Sequence, residues 1–363
     1  MKQLAKILIF VMSLLLLTQT VHASEITKSQ LTLDQAIAKA LTNSKKVEKA
    51  TKEIDRLKEI RDYRNDQLGY TPIGSPDNKY TEMAWSNLLS TDLQWRMAMK
   101  SLDTEQDTVA LNTCLNYWKV QQAIMAVDVA KESLNKANLD LLKSQASYKF
   151  GLITNEAYLG AETKQKSAKT AFEKAKNDLD TTYAKFNQLI GLRPEDRPEL
   201  LEEVTFNPIG EQNIEYVVTK VLETSPDVWL ANENVNLQKY LADLTMYTGE
   251  YRPYEARKIE VEKADLDAVS AKEAADLLTR SLYYNIRTLE EKHPTVEKSL
   301  DLAQESLRIA EIKYQVGLAT KSDVATAKVS LVEAKLSLLA LKSDHAYLKL
   351  ALQKPWAYLK AGS

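Results

Sequence analysis

The amino-acid sequence predicts an all-α protein made of two tandem repeats of long antiparallel coiled-coil helices. Three observations predict this fold class. Glycine and proline, the residues that break helices, number only nine each among 363 residues. Apolar residues recur at alternating spacings of three and four over long stretches, as they do in a coiled-coil seam. The chain also matches itself at long separation, which indicates a duplication.

The N-terminus has the pattern of a secretory signal peptide. Two lysines precede the apolar run Ile7–Leu17, and Val21 and Ala23 are small residues at the −3 and −1 positions of a cleavage site. The run is shorter than the ~20 residues that a membrane-spanning helix needs, which disfavours a membrane anchor. We therefore predict that residues 1–23 are a signal peptide and that the protein is exported.

The charge balance and the residue types present exclude several classes of function. The chain has a net charge of −2, and it becomes more acidic when the two lysines of the signal are removed. Nucleic acid is therefore not expected as a partner, because phosphate binding needs a basic face. The single cysteine, Cys114, cannot form an internal disulfide. No residue set has metal-ligand or nucleophile spacing, so we expect neither an enzyme nor a bound metal or cofactor.

Two stretches of sequence carry the duplication. Residues 33–50 align with residues 214–231 at an offset of 181, and Tyr148–Thr154 aligns with Tyr314–Thr320 at an offset of 166. The first repeat therefore holds 15 additional residues between its two matched blocks.

A proline-containing connector separates the two copies. Residues 191–213 contain three prolines, which favours a surface connector. The predicted organisation is a first helical repeat over residues 24–190 and a second over residues 214–363.

Each repeat is predicted to contain one long helix and two shorter ones. In the first repeat the two short helices, about 50 and 52 Å long, together match the long helix of about 102 Å. They can therefore stack end to end beside it. The predicted helices span residues 33–65, 81–148 and 155–189 in the first repeat, and residues 226–247, 257–314 and 321–355 in the second.

A Gly-Leu-x-Thr turn follows the long helix of each repeat. Gly151 and Gly317 supply the backbone freedom that ends a helix, and Thr154 and Thr320 can cap the next one. Because apolar seams run into and out of both turns, each turn is predicted to join an antiparallel helical hairpin.

With these features the chain resembles the TolC-like outer-membrane efflux proteins. The Leu31–Ala36 start, the two turns, the Leu189–Gly191 close of the first repeat and the duplication carry the resemblance, which covers roughly residues 31–355. It implies a homotrimer whose helices enclose a passive tunnel in a tripartite efflux or export system.

The resemblance also implies where partners bind. The two turns would dock on a periplasmic adaptor, the membrane fusion protein, which works with an inner-membrane pump. The implied adaptor-docking residues are Tyr148, Gly151, Leu152, Thr154, Tyr314, Gly317, Leu318 and Thr320.

The chain departs from this family where the strands of a shared β-barrel would lie. A transmembrane hairpin needs roughly 20 residues, whereas residues 66–80 and 248–256 are shorter and contain prolines. The strands are therefore predicted to be absent or vestigial. The resemblance implies location in the outer membrane. Without a barrel the protein would instead be periplasmic or otherwise extracytoplasmic, so the sequence does not decide whether it contacts a membrane. The alternative function is a structural or binding protein of the envelope that does not transport.

Aromatic residues gather at the same predicted end of the two repeats. They fit either a membrane-interface belt or packing of two tight loops, and the lack of an accompanying apolar band favours packing. They are Tyr63, Tyr70, Tyr80, Trp85, Tyr247, Tyr251 and Tyr254.

Overall fold

A computed structural model describes residues 30–68, 79–244 and 254–361 of the chain. The predicted signal peptide lies outside these residues. So do most of the two segments on which the expectation of vestigial strands depends, and three of the clustered aromatic residues fall there as well. Within the described ranges the protein is almost entirely helical, which confirms the predicted all-α fold class.

The first repeat begins with a two-residue strand and contains four helices. The long third helix is followed by the first turn and then by the last helix of the repeat. The elements are β1 (Gln30–Leu31), α1 (Leu33–Asn43), α2 (Lys45–Leu68), α3 (Lys79–Lys149) and α4 (Asn155–Ile190).

The second repeat follows a short strand in the connector. It again places two shorter helices before a long one, and its second turn leads into a helix of similar length to α4. The elements are β2 (Glu199–Leu200), α5 (Ile214–Thr224), α6 (Pro226–Leu244), α7 (Tyr254–Gln315), α8 (Lys321–Gln353) and α9 (Pro355–Ala361).

The predicted helix 33–65 is in fact two helices, α1 and α2, and the second repeat has an additional helix, α5, before the predicted span 226–247. The breaks fall at Ser44 and Ser225, residues that match each other in the duplication. Each serine adopts an extended backbone, and its hydroxyl accepts the N–H three residues later, at 3.3 Å from Val47 and 3.4 Å from Val228. A serine that caps the following helix in this way ends the preceding one.

The last predicted helix also ends earlier than expected. It stops at Gln353, and Pro355 begins the separate helix α9. Proline favours the first position of a helix, where its missing N–H needs no partner. The other predicted helices agree with the structure to within three residues at each end.

The helices form a single layer in which the long helices alternate with pairs of shorter ones. Helices α2 and α4 lie along one side of α3, helices α6 and α8 lie between α3 and α7, and α7 forms the far edge. The side chains of both predicted seams face inward, as in Tyr158–Phe186 of α4. The predicted stacking of short helices along a long partner is therefore confirmed.

The helix layer of one protomer is an elongated rod, and its core lies near the middle of the rod, where the connector crosses the helices. Tyr117 and Phe186 are fully buried there, and their rings meet edge to face at 6.0 Å. The connector adds buried Val204 and Ile209 to two neighbouring clusters, so it is more than the predicted surface segment. Its strand β2 pairs in parallel with β1.

Candidate functional site: the hairpin tips and the edges of the helix layer

The first tip is a tight turn in which Gly151 ends the long helix. Gly151 has φ 69°, a left-handed backbone that glycine adopts without steric cost. Its N–H donates to the Tyr148 carbonyl and that of Leu152 to the Ser147 carbonyl, both at 2.9 Å. These two bonds form a Schellman motif. The Thr154 hydroxyl then accepts the Ala157 N–H at 3.2 Å and caps α4.

The second tip repeats this geometry. Gly317 has φ 77°, and the Leu318 N–H donates to the Lys313 carbonyl at 2.7 Å. Thr320 and Asp323 form a reciprocal capping box, with the Thr320 N–H donating to the Asp323 carboxylate at 2.7 Å. The N–H and hydroxyl of Thr320 lower the pKa of the Asp323 carboxyl. Both predicted turns and both predicted caps therefore form as hairpin tips.

Each tip presents two large apolar side chains to solvent. Phe150 and Leu152 are 81% and 74% exposed, and Val316 and Leu318 are 63% and 79% exposed. The residue after a Schellman glycine usually packs back on its own helix, but Leu152 and Leu318 do not. These four side chains, which we call the tip patch, leave a paired apolar surface available to a partner.

The predicted docking residues divide into three groups. Leu152 and Leu318 belong to the tip patch, whereas the glycines and threonines build the turns. The two tyrosines, Tyr148 and Tyr314, are 42% and 40% exposed, and Tyr148 stacks on Tyr158 at 5.3 Å between ring centroids. Phe150 and Val316 lie within the two predicted turns but were not among the eight implied docking residues, although their equivalent positions are a signal that could have identified them.

The two hairpins are joined close to their tips. The Ser322 hydroxyl at the start of α8 donates to the Asp140 carboxylate of α3, and Lys136 bonds the same carboxylate at 2.7 Å. One helical turn or more farther from the tips, Lys328 pairs with Glu132 at 3.0 Å. These bonds hold the two tips side by side at one end of the layer.

A groove runs beside the first tip, between α3 and α4. It has a volume of about 610 Å³ and is lined by Ile153, Gly160 and the three lysines Lys136, Lys143 and Lys164. The tip patch therefore adjoins a concave surface with a basic rim.

The free edge at α7 carries a second apolar face. Six of its exposed large apolar residues lie within about 40° of one direction at 100° per residue, and they are between 40% and 71% exposed. Buried residues such as Ala268 and Ile286 lie on the opposite side of the same helix, against α6 and α8. We call this exposed row the α7 stripe. Its members are Ile259, Leu266, Leu277, Tyr284, Leu302 and Ile309.

The opposite edge, at α4, presents small residues instead. Gly160, Thr163, Ser167 and Thr170 recur at spacings of three and four on the exposed side of α4, away from its seam with α3. Such a row forms a shallow groove into which larger side chains can pack. The two edges of the layer are thus complementary in shape.

The buried titratable residues serve packing. His345 lies in the seam of α8, and its Nε2 contacts the Glu290 carboxylate at 3.1 Å. Glu290 also accepts the Ile209 N–H at 2.7 Å, and Phe206 stacks on His293 at 3.7 Å. Across the described residues, no three His, Cys, Asp or Glu side chains are grouped so that they could hold a metal ion.

No helix within the described ranges is both long enough and apolar enough to cross a lipid bilayer.

Comparison with known proteins gives one family match over part of the chain and several matches of fold. Residues 247–356 match the family model described as outer membrane efflux protein. No curated protein is similar enough in sequence to count as a match.

Several solved structures share the fold over nearly the whole chain. The outer membrane protein VceC of Vibrio cholerae is 14% identical, with a TM-score of 0.66 over 90% of this chain and 96% of that one. The CmeC outer membrane channel of Campylobacter jejuni is 13% identical, with a TM-score of 0.64 over 90% and 85% of the two chains. The open-state MtrE outer membrane channel of Neisseria gonorrhoeae is 13% identical, with a TM-score of 0.63 over 90% and 88%.

These matches confirm the resemblance predicted from the sequence. The chain has the fold of outer-membrane channels and matches the efflux family over its second long hairpin. The matched family and structures are channels and not enzymes, in agreement with the prediction that this protein is not an enzyme.

Proposed function

We propose that this chain, which has the TolC-like fold of outer-membrane channels and an outer membrane efflux protein match in its second repeat, is the passive duct of an efflux or export system. In this proposal, three copies close into a hollow helical cylinder in the cell envelope. The tips dock on a periplasmic adaptor, which connects the duct to an energised inner-membrane pump. The observation that carries the proposal is the pair of equivalent apolar tips at one end of a layer with two complementary edges.

Closure of the cylinder follows from the two edges. A head-to-tail contact in which α7 of one copy packs on α4 of the next uses a different surface on each side, so it generates a ring when the rotation closes. The α7 stripe is large and apolar, and the row on α4 is small. Burying such a stripe stabilises an assembly by about 25 cal/mol per Å² of apolar surface removed from water.

The register of this contact can be stated because both edges begin at the tips. Ile309 lies six residues before the end of α7, and Gly160 lies at nearly the same distance from the start of α4. Leu302 and Ser167 are also level with each other, about 20 Å from the tips at a rise of ~1.5 Å per residue. Rotation about the cylinder axis keeps these heights equal, so Ile309 faces Gly160 and Leu302 faces Ser167.

The tip patch supports docking of an adaptor. An apolar surface that its own helices leave uncovered is typical of a protein-interaction site, and aromatic and large aliphatic residues dominate the energy of such sites. The Ser322–Asp140 hydrogen bond and the Lys328–Glu132 ion pair join the two hairpins near their tips, so a single partner can contact both.

The duct acts by enclosure. Charged and hydroxyl side chains cover the exposed helix faces, so a cylinder built from them gives solutes a hydrated path. Direction then comes from the pump, because a passive tunnel does not change the equilibrium of the solute.

Disulfide cross-linking tests the edge contact. We expect Leu302→Cys combined with Ser167→Cys to give cross-linked species of up to three chains under mild oxidation. Each single variant should remain monomeric on a denaturing gel. The matched control combines Leu302→Cys with Lys176→Cys, a position farther from the tip; efficient cross-linking of that pair, or none of the first, would contradict the register.

Substitution of the tip patch tests adaptor docking. Phe150→Ser with Leu152→Ser, or Val316→Ser with Leu318→Ser, should lower binding of the adaptor protein from the same cell at least tenfold in a reconstituted pull-down. Circular dichroism should show an unchanged helix content, because these side chains are largely exposed in the protomer. Leu201→Ser, at an exposed connector residue, is the control and should bind normally. Normal binding by both double variants would remove the tips from the proposal.

A further inference from the structure

The two repeats use one tyrosine in the same way. Tyr117 of α3 and Tyr283 of α7 are 166 residues apart, the offset that relates the two tips. The Tyr117 hydroxyl donates to the Leu31 carbonyl at 3.1 Å, and the Tyr283 hydroxyl donates to the Gln212 carbonyl at 3.0 Å. Leu31 and Gln212 are themselves equivalent at the offset of 181. The segment before the first helix is thus anchored alike in both repeats.

In the first repeat an extended segment of the connector fills the space beside this anchor. The Leu201 N–H donates to the Leu31 carbonyl at 3.2 Å, and the Glu202 N–H donates to the Tyr117 hydroxyl at 3.1 Å. The Glu202 carboxylate accepts the Leu33 N–H at the start of α1, at 2.7 Å. This acidic segment therefore provides hydrogen-bond partners for the Leu31 carbonyl, the Tyr117 hydroxyl and the Leu33 N–H.

In the second repeat the three equivalent groups are the Gln212 carbonyl, the Tyr283 hydroxyl and the Ile214 N–H, and no such strand of the described chain lies beside them. Among the described residues, nothing donates an N–H to the Gln212 carbonyl or to the Tyr283 hydroxyl, and nothing accepts the Ile214 N–H. The chain after α8 runs elsewhere, because α9 packs on α3 and its Trp356 indole donates to Asp107 at 3.0 Å.

An open cavity adjoins this anchor at Gln212. It has a volume of about 630 Å³, and Gln212 lies on its wall together with the apolar side chains of Val217, Val221 and Leu352. Three lysines line it, namely Lys220, Lys349 and Lys354, and none of its lining residues is acidic. Lys354 pairs with Asp107, whereas Lys220 and Lys349 form no ion pair within the described part of the chain.

We infer that this cavity is a docking slot for an extended acidic peptide segment of a partner protein, which adds a short strand beside Gln212. The peptide's N–H groups bind the Gln212 carbonyl and the Tyr283 hydroxyl, and a following carboxylate binds the Ile214 N–H. Its apolar residues enter the cavity, and Lys220 and Lys349 favour its negative charge. The first repeat shows the pattern that fits, glutamate and leucine at Glu199–Glu203. The slot lies near the middle of the rod, so it is distinct from the tips.

A synthetic peptide tests the slot directly. The probe is a fluorescently labelled peptide with the sequence of residues 198–204, Pro-Glu-Leu-Leu-Glu-Glu-Val, titrated with the purified full chain and followed by anisotropy at low salt. We expect saturable binding that weakens at least fivefold when the three glutamates of the peptide are replaced by glutamine. Tyr283→Phe and Lys220→Glu should each weaken binding at least threefold.

The equivalent variant in the first repeat is the matched control. Tyr117→Phe should leave the affinity unchanged, because the chain itself occupies that slot, and circular dichroism checks that each variant is folded. Equal binding of the glutamate and glutamine peptides, or unchanged binding by both Tyr283→Phe and Lys220→Glu, would overturn the inference. A photo-crosslinker at Tyr216 that captures only a second copy of this chain would also overturn it, since the slot would then be a contact between protomers.

Discussion

The Ser322 hydroxyl donates a hydrogen bond to the Asp140 carboxylate and so joins the second repeat to the first just behind the tips. Burial disfavours the charged carboxylate, but hydrogen bonds from Lys136 and Ser322 outweigh burial and lower the pKa of Asp140. The contact therefore stabilises the folded protein above the ordinary carboxyl pKa of ~3.9, and this contribution is lost as the pH falls through the lowered value.

We predict that Asp140→Asn or Ser322→Ala loosens the start of α8. Amide hydrogen exchange in residues 321–330 should become several-fold faster, while exchange at the core residues around Tyr117 stays the same. Asp178→Asn is the control, because Asp178 forms only an exposed pair with Lys174 within α4. Unchanged exchange in both variants would show that the link does not hold the tips together.

The tip glycines should resist substitution for a conformational reason alone. Nothing lies within 4 Å of a Cβ added at Gly151 or Gly317, so Gly→Ala there strains only the left-handed backbone, at a cost of ~1–2 kcal/mol. Gly160 offers a matched control, since it is helical and equally open. Gly160→Ala should stabilise the protomer by ~0.5–1 kcal/mol. Urea unfolding of the monomeric protein measures the change in the free energy of unfolding for each variant. A change of the same sign at the tip glycines and at Gly160 would contradict the left-handed backbone of the tip glycines.

Loss of the anchoring hydroxyl should cost more in the first repeat than in the second. Tyr117 is fully buried and bonds both Leu31 and Glu202, whereas Tyr283 is half-buried and makes one bond. Tyr117→Phe should therefore destabilise by ~1–3 kcal/mol and Tyr283→Phe by ~1 kcal/mol or less. Thermal unfolding compares the two variants, and a larger loss for Tyr283→Phe would contradict the empty slot.

Acid should weaken the packing of the connector through Glu290. Burial acts to raise the pKa of this carboxyl, but the Ile209 N–H and His345 lower it overall. Because the folded pKa is lower than the unfolded one, its contribution is present above the unfolded value of ~4.3 and is lost as the pH falls through the folded value. Glu290→Gln should lower the melting temperature at pH 7 and flatten its dependence on pH below ~5. A variant that keeps the same steep acid dependence would exclude Glu290 as the cause.

The single cysteine should be inert in the folded protein. Burial raises the pKa of the Cys114 thiol to about 12, so little thiolate exists near neutral pH. We expect a thiol reagent at pH 8 to label it in urea and to leave it largely unlabelled in native buffer. Rapid labelling of the native protein would contradict its burial, and slow labelling allows introduced cysteines to be studied without replacing it.

Much of the fold could be predicted from the sequence because its signals are periodic and local. The three-four spacing located the long helices, and the rare glycines of the two turns marked their ends. The break at Ser44 and the helix that ends before Ser225 were not predicted, because a serine is common on exposed helix faces and becomes a cap only when the backbone turns. The burial of Val204 and Ile209 depends on where the connector crosses the layer, which no local pattern reveals.

The candidate site was predicted in position but not in composition. The Gly-Leu-x-Thr pattern indicated the turns, yet the exposure of Phe150 and Val316 depends on how each turn directs its last helical residues. The complementary edges could not be predicted without the order of the helices in the layer, since only that order shows which face of α7 is not covered by another helix. The empty slot beside Gln212 could be recognised only by combining the two sequence offsets of the duplication with the observed hydrogen-bond partners of Tyr117.

Electron microscopy of the purified full chain tests the central proposal most directly. The proposal predicts particles with threefold symmetry, in which a helical cylinder about 100 Å long surrounds a tunnel and six hairpin tips lie at one end. Single rods of one protomer, or assemblies in which α7 and α4 remain exposed and enclose no tunnel, would contradict it.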